Sequence, residues 1–332
     1  MKLILPENLL TFDAKTQRKI TAYCKNPPKL LRQPLNKNKP IAFVASPSPI
    51  GDTLIGLVTA NNLIRNGYQV DIYSDHVFVL REWFPALRIF KLPPPDEEKI
   101  FARYSTVLHT HDRELTQALS NWHPHSALLY HKSLYQLPIP LIDIHIILCQ
   151  TQLGLTDITR ENGIKPLPDL LANRYAKRII IHPTSSAAHK NWAAEKFLCL
   201  AQILQKKGYD PHFVLAPNEI ATWEKIIAGK IPILTSSHLS DVAAWLYESN
   251  YFIGNDSGIG HLASNLGIPT LSIIFCKSVV KQWRPTWEAG TVIMPPFWLQ
   301  PRMLQKKFWQ HFISVNAVLQ KFEQVAAELK SH

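Results

Sequence analysis

Three short stretches of this sequence carry residues whose types and order suit a phosphorylated ligand. The string GNDSGIGHLASNLG, residues 254–267, has glycines at 254, 258 and 260 that clear side chains from a strand-to-helix turn. Asp256 and Ser257 stand at the turn, placed to cap the helix or to touch a ligand. The amides of Ser257 and Gly258 would face a pyrophosphate, with the helix dipole adding favourable potential. His261 follows on the first helical turn, a place that serves packing as readily as chemistry. A second stretch, HPTSSAAHKNW (182–192), sets the hydroxyls of Thr184, Ser185 and Ser186 behind a strand and adds Lys190 as a cation for the same anion. A polar loop with a solvated lysine would use the same letters. The third, SPSPIGDTL (46–54), puts Gly51, Asp52 and Thr53 at a helix start. An aspartate there either caps the helix or accepts a proton. This third turn has neither GxGxxG nor GxxxxGK[ST], so dinucleotide and P-loop readings lose support.

Other polar groupings are weaker. His109, His111 and Asp112 (HTHD), with His123 and His125 (HPH), alternate as strand residues do, but nothing supplies a further ligand in register, and no metal site is expected. Cys24, Cys149, Cys199 and Cys276 are far apart and form no CxxC pair, which fits reduced structural thiols.

These turns need a scaffold, and the 332 residues suffice for two cores of ordinary size. Hydrophobic residues make up 46% and charged residues 18%, a globular balance. The most apolar run, Leu141–Cys149, is too short to span a bilayer and is broken by Asp143 and His145. The N-terminus lacks the apolar length of a signal peptide, so a cytoplasmic protein is expected. The first forty residues carry +7 of the net +11 charge and contain Pro27, Pro28, Pro34 and Pro40, so they read as an irregular basic extension. Such a surface attracts a polyanion, whether acidic lipid, phosphorylated glycolipid or nucleic acid, or is simply solvated. No nucleic-acid motif or aromatic-basic platform accompanies the charge, and nucleic acid ranks last.

From residue 41 a strand–helix alternation begins. Strands are expected at 41–45, 70–73, 106–109 and 127–130, with a helix over 53–65 stopped by Gly67. KPLPDLLANR (165–174) reads as a hinge. Beyond it, strands at 178–181, 212–215, 231–234, 251–253 and 270–275 alternate with helices at 194–207, 220–228, 239–248 and 258–266, and a last helix is expected over about 304–329. Unbroken runs such as RIII and LSIIF fit strands buried on both faces. The architecture is α/β: a basic extension (1–40) and two doubly wound domains, 41–170 and 171–332.

The three stretches, in this order, resemble glycosyltransferase family 9, the ADP-heptose:lipopolysaccharide heptosyltransferases. Gly51-Asp52-Thr53-Leu54 is similar to the family's GDxL element. His182, Pro183, Thr184, Ser185, Lys190 and Trp192 follow its second motif, and Gly254 through Thr270 its third. The resemblance covers about residues 41–330. It implies a GT-B fold, two Rossmann-like domains with a cleft between them. It also implies inverting, metal-independent transfer of a heptose from a nucleotide-sugar to a glycolipid or oligosaccharide acceptor, without a resident cofactor. Asp52 would be the general base on the acceptor side, beside Gly51 and Thr53. Thr184, Ser185, Ser186 and Lys190 would hold the donor diphosphate, and Asp256, Ser257, Gly258 and His261 would line the donor pocket. Glu219 would approach the ribose, with Glu224 second. Phe275-Cys276-Lys277-Ser278 stands where the family commonly has a Gly-Pro-Thr-like turn. Another nucleotide-sugar enzyme of this fold, or a catalytically silent relative, remains the alternative. The second is opposed by the presence together of Asp52, Lys190, Asp256 and His261.

Overall fold

The computed structural model describes residues 12–45, 49–111, 114–288, 290–296 and 308–330. The chain divides between Lys165 and Pro166 into two units.

The first unit opens with helix α1 (Ala14–Lys25), whose N-cap Asp13 accepts from the Thr16 amide at 2.9 Å. Its inner face buries Ile20, Tyr23 and Cys24, while Lys15, Arg18, Lys19 and Lys25 are exposed. The expectation of an irregular extension is corrected here. All four prolines follow α1, and proline breaks only the helix that must accommodate it. The segment behind α1 is also fastened down. The Leu30 amide donates to Gln152 Oε1 at 3.1 Å, and Gln152 Nε2 donates to the Tyr23 hydroxyl at 3.3 Å.

Next come β1 (Ile41–Val44), α2 (Ile50–Arg65), β2 (Val70–Tyr73), the short α3 (Asp75–Phe78) and β3 (Arg88–Phe90). Then follow β4 (Thr106–His109), α4 (Glu114–Trp122), β5 (Ser126–Leu128), α5 (Lys132–Tyr135) and α6 (Leu141–Thr151). The strands form a parallel sheet in the order β3-β2-β1-β4-β5. Central β1 is buried throughout, so its sequence is apolar without alternation. Helix α2 stops where its glycine requires. Gly67 has φ +84°, and the Gly67 and Tyr68 amides return to the Ile64 and Leu63 carbonyls at 2.9 and 3.1 Å. Its start is three residues earlier than expected, at Ile50 behind Pro49. The apolar run 141–149 is α6, packed on α2. Its Asp143 is buried against Arg160, and its His145 Nδ1 lies 2.8 Å from Thr59 Oγ1. Among the described residues no helix is long and apolar enough to cross a membrane.

The second unit contains β6 (Tyr175–His182), α7 (Ala194–Lys206), β7 (Asp210–Leu215), α8 (Ile220–Ile227), β8 (Ile233–Thr235) and α9 (Leu239–Tyr247). It continues with β9 (Ser249–Asn255), α10 (Gly258–Asn265), β10 (Thr270–Ile273), α11 (Lys277–Trp283), β11 (Gly290–Ile293) and α12 (Val315–Lys330). Its parallel sheet runs β11-β10-β9-β6-β7-β8. The expected helix over 304–329 is corrected: α12 starts at Val315, and Trp309–Phe312 forms a separate 3-10 turn. Residues 304–307 lie outside the described residues. Trp309 and Ile313 are buried in the core with Trp192, and that packing overrides the helical pattern of the segment. Strands β3 and β11 went unforeseen, being three- and four-residue edge strands with little apolar signal.

Both sheets have the same turning point. Connections leave β1 in opposite directions toward β2 and β4, and leave β6 in opposite directions toward β7 and β9. Ligands of open α/β sheets bind beyond the carboxyl ends of the strands at such switch points.

Candidate functional site

In the first unit the switch point brings together Asp52 and His111. Asp52 is the third residue of α2, where the helix dipole favours a carboxylate. It is not the N-cap, a place held by Pro49, so the helix-capping reading of Asp52 loses its geometric basis. Gly51 is buried inside the first turn, and its φ is not left-handed. The Thr53 hydroxyl reaches back to the Ala45 and Pro49 carbonyls at 3.4 and 3.2 Å, fastening the helix start to the end of β1. Parallel pairing sets Val44 beside His109, and His111 follows two residues on. Its Nε2 lies 3.7 Å from Asp52 Oδ2. The other histidines noted in the sequence diverge: His109 is buried, and His123 Nε2 meets the Tyr104 carbonyl at 3.2 Å. No group of three or more His, Cys, Asp or Glu among the described residues is placed to hold a metal. Asp112 lies outside the described residues.

In the second unit the loop after β6 and the start of α10 converge on His182, the last residue of β6. Its Nε2 is 3.3 Å from Thr184 Oγ1 and its Nδ1 3.2 Å from Ser257 Oγ. Desolvation lowers its pKa to about 4, so the ring is a neutral linker. Lys190, at the end of a 3-10 turn, donates to Asp256 Oδ2 at 3.0 Å. Asn255 secures the loop by both ends of its amide: Nδ2 donates to the Pro183 carbonyl at 2.6 Å, and Oδ1 accepts from the Trp192 amide at 2.9 Å. Gly254 is needed for this approach, because a Cβ there would lie 2.8 Å from the His182 carbonyl and 2.7 Å from Phe252 Cζ. Helix α10 begins at Gly258 with Ser257 as N-cap, and no side chain caps it. Its first amides have no partner within the helix.

The loop is clasped from behind. The Trp309 indole donates to the His189 carbonyl at 2.8 Å, and the Trp192 indole to the Ile313 carbonyl at 3.1 Å. Lys196 Nζ donates to the Gln310 and Ile313 carbonyls at 2.6 and 2.9 Å.

Thr184, Ser185, Lys190, Asp256, Ser257 and Gly258 therefore belong to one cluster. Ser185 spends its hydroxyl inside the loop, 2.6 Å from Asn191 Oδ1, and Ser186 is exposed. His261 is buried with its ring edge-on to Trp287 at 6.3 Å. Glu219 is on the connection after β7, where its carboxylate accepts from the Ala216 amide at 2.9 Å, and Glu224 is exposed on α8. The sequence reading did not single out Asn255 or Trp309, and it named His182 only as a motif residue and His111 only as a weak metal candidate. His182 and Asn255 lay within the quoted strings, just beyond the strands expected at 178–181 and 251–253, and that position was the available signal.

Two doubly wound parallel-sheet units, one presenting a carboxylate and the other a cation beside a helix N-terminus, define a class of α/β protein suited to group transfer from an activated phosphate. The sequence model of glycosyltransferase family 9 (heptosyltransferase) matches residues 135–311, and the chain belongs to that family. Lipopolysaccharide heptosyltransferase 3 of Escherichia coli is 28% identical over 117 residues, 33% of this chain. The match spans only 34% of that relative's length. Among solved structures, a family 9 glycosyl transferase of Veillonella parvula aligns with TM-score 0.70 and 16% identity over 89% of this chain and all of its own. The E. coli ADP-heptose lps heptosyltransferase II aligns with TM-score 0.68 and 14% identity, over 87% of this chain and 99% of its own. These structural likenesses carry the fold, the GT-B class of α/β architecture expected from the sequence.

Proposed function

We propose that the protein is an inverting glycosyltransferase that moves a heptose from ADP-heptose to a lipopolysaccharide-core or related glycan acceptor. The observation that carries this reading is the Lys190–Asp256 pair beside the uncapped start of α10, within the family's own motif. A diphosphate there would meet a cation, backbone amides and the dipole of α10. Asp52 takes the proton of the acceptor hydroxyl as that oxygen attacks the anomeric carbon. The bond to the diphosphate breaks in the same displacement, which inverts the configuration, and the departing charge rests on Lys190 and the amides. The reaction needs no metal, since protein groups meet that charge.

The test is a thermal-shift and turnover screen across ADP-, UDP-, GDP- and CDP-sugars, with and without EDTA. ADP-heptose should stabilise the protein most and be consumed equally well with chelator present. Stabilisation by another nucleotide-sugar alone would replace the donor, and loss of turnover in EDTA restored by a divalent ion would overturn metal independence. A different sugar is the second reading, favoured by Phe275, whose ring meets His189 beside Lys190 at 5.6 Å in place of the family's usual turn.

The exposed basic face of α1 supports a peripheral station on the anionic inner face of the cytoplasmic membrane, near a lipid-borne acceptor. Charge reversal at Lys15, Arg18 and Lys19 should weaken sedimentation with acidic liposomes, and the loss should shrink at high salt. Unchanged sedimentation would remove this role.

A further inference from the structure

We propose that His111 is a positioning residue for Asp52, holding its carboxylate through Nε2 and tuning its basicity through the charge of the imidazole. The proposal rests on the reading of Asp52 as the base. The two residues come from opposite sides of the switch point, Asp52 from α2 behind β1 and His111 from the end of β4. Register makes them neighbours: the Thr110 amide returns to the Val44 carbonyl at 3.3 Å. With Nε2 3.7 Å from Asp52 Oδ2, the other ring nitrogen lies 2.9 Å from Thr110 Oγ1. In the tautomer whose Nδ1 accepts from the threonine hydroxyl, the ring proton is on Nε2, the nitrogen that faces the carboxylate. The backbone of His111 is held too, its carbonyl accepting from Thr116 Oγ1 at 2.8 Å and lying 3.2 Å from His109 Nδ1.

Three titratable groups among the described residues stand around this pair. His145, on α6, is within electrostatic reach of His111, and burial lowers its pKa to about 4, so it stays neutral. Tyr135, on α5, senses both Tyr130 and Asp52, and burial raises its pKa, so it too is neutral. His109 contributes its ring from β4. Asp112 and Arg113, next in the sequence, lie outside the described residues.

In the transfer, the acceptor oxygen forms its bond to the anomeric carbon while its proton passes to Asp52. The carbon–diphosphate bond breaks with its electron pair on the diphosphate. His111 keeps its proton count through this step. Neutral, it faces the carboxylate across 3.7 Å and leaves it a stronger base. Protonated, it stabilises the carboxylate and leaves it a weaker one. Turnover should therefore rise with pH in a second step, one set by the charge of His111.

The experiment compares kcat and donor KM against pH for the wild-type chain, His111→Gln, His111→Ala and Asp52→Asn, with each variant's thermal midpoint measured. His111→Gln keeps an N–H donor and cannot be charged, so it should lose the second step while kcat at high pH stays within about threefold. His111→Ala should also lose the step and drop kcat by roughly three- to tenfold with donor KM unchanged. Wild-type pH profiles in folded His111 variants, with Asp52→Asn inactive, overturn the role of His111 alone. An active Asp52→Asn overturns the reading of Asp52 as the base.

Discussion

The two parallel sheets share a strand order about their first strands, yet their switch points are furnished differently, one with a carboxylate beside an imidazole and the other with a lysine–aspartate ion pair. In the first unit the start of α2 carries its own carboxylate, Asp52, and faces an imidazole. In the second the start of α10 runs Gly258-Ile259-Gly260, with no acid in its first turn, and Lys190 stands nearby, ion-paired with Asp256 ahead of the helix. A helix N-terminus filled by an internal acid has its favourable potential spent on that acid, while an unfilled one can receive an anion from outside. One scaffold thus yields a proton acceptor in one copy and an anion receiver in the other. The choice rests on a few side chains at the turn.

The comparison breaks most sharply at Asp52. Asp52→Asn keeps size and removes proton acceptance, so turnover should fall by about a hundredfold to ten-thousandfold while ADP affinity in calorimetry barely changes. A rate within a fewfold of wild type, with the correct acceptor, would mean that the first switch point does no acid–base work. Lys190→Ala should act on the other quantity. Loss of one charge-assisted contact should weaken ADP binding by roughly tenfold to a hundredfold. Undiminished affinity would move the diphosphate elsewhere.

Gly254→Ala probes the packing beneath the second switch point. The new Cβ would meet the His182 carbonyl at 2.8 Å, so β6 and β9 must part. Urea denaturation should show a loss of about 1–3 kcal/mol, and an unchanged midpoint would contradict that close approach. The last effect should be shared by both units. His145 and His182 each have a folded pKa lowered to about 4 from 6.5 by desolvation. Between those values the unfolded chain binds the extra proton. Stability is then fully present above about pH 6.5 and falls toward pH 4, by up to about 1.4 kcal/mol per histidine for each pH unit. His145→Gln should flatten the slope in urea titrations at pH 7, 6 and 5. An equal slope in the variant would assign the acid sensitivity elsewhere.

The sequence by itself determined the alternation of elements, the two sheets and the strings at their switch points. Each follows from local chemistry: buried parallel strands are continuously apolar, and glycine ends helices at Gly67, Gly208 and Gly267, all with positive φ. Tertiary structure decided the rest. Helix α1 looked irregular because its apolar face is only Ile20, Tyr23 and Cys24 on a basic background, and that face has meaning only against the unit it covers. The segment 308–314 carries a helical pattern yet is pulled into a turn by the Trp309 and Lys196 hydrogen bonds. His182 bridging Thr184 and Ser257, Asn255 gripping two distant backbones, and His111 beside Asp52 are separated by 75, 72 and 59 positions in the chain. Only the register of parallel strands brings such residues together, and register is fixed by packing across the sheet, which no local stretch of sequence records.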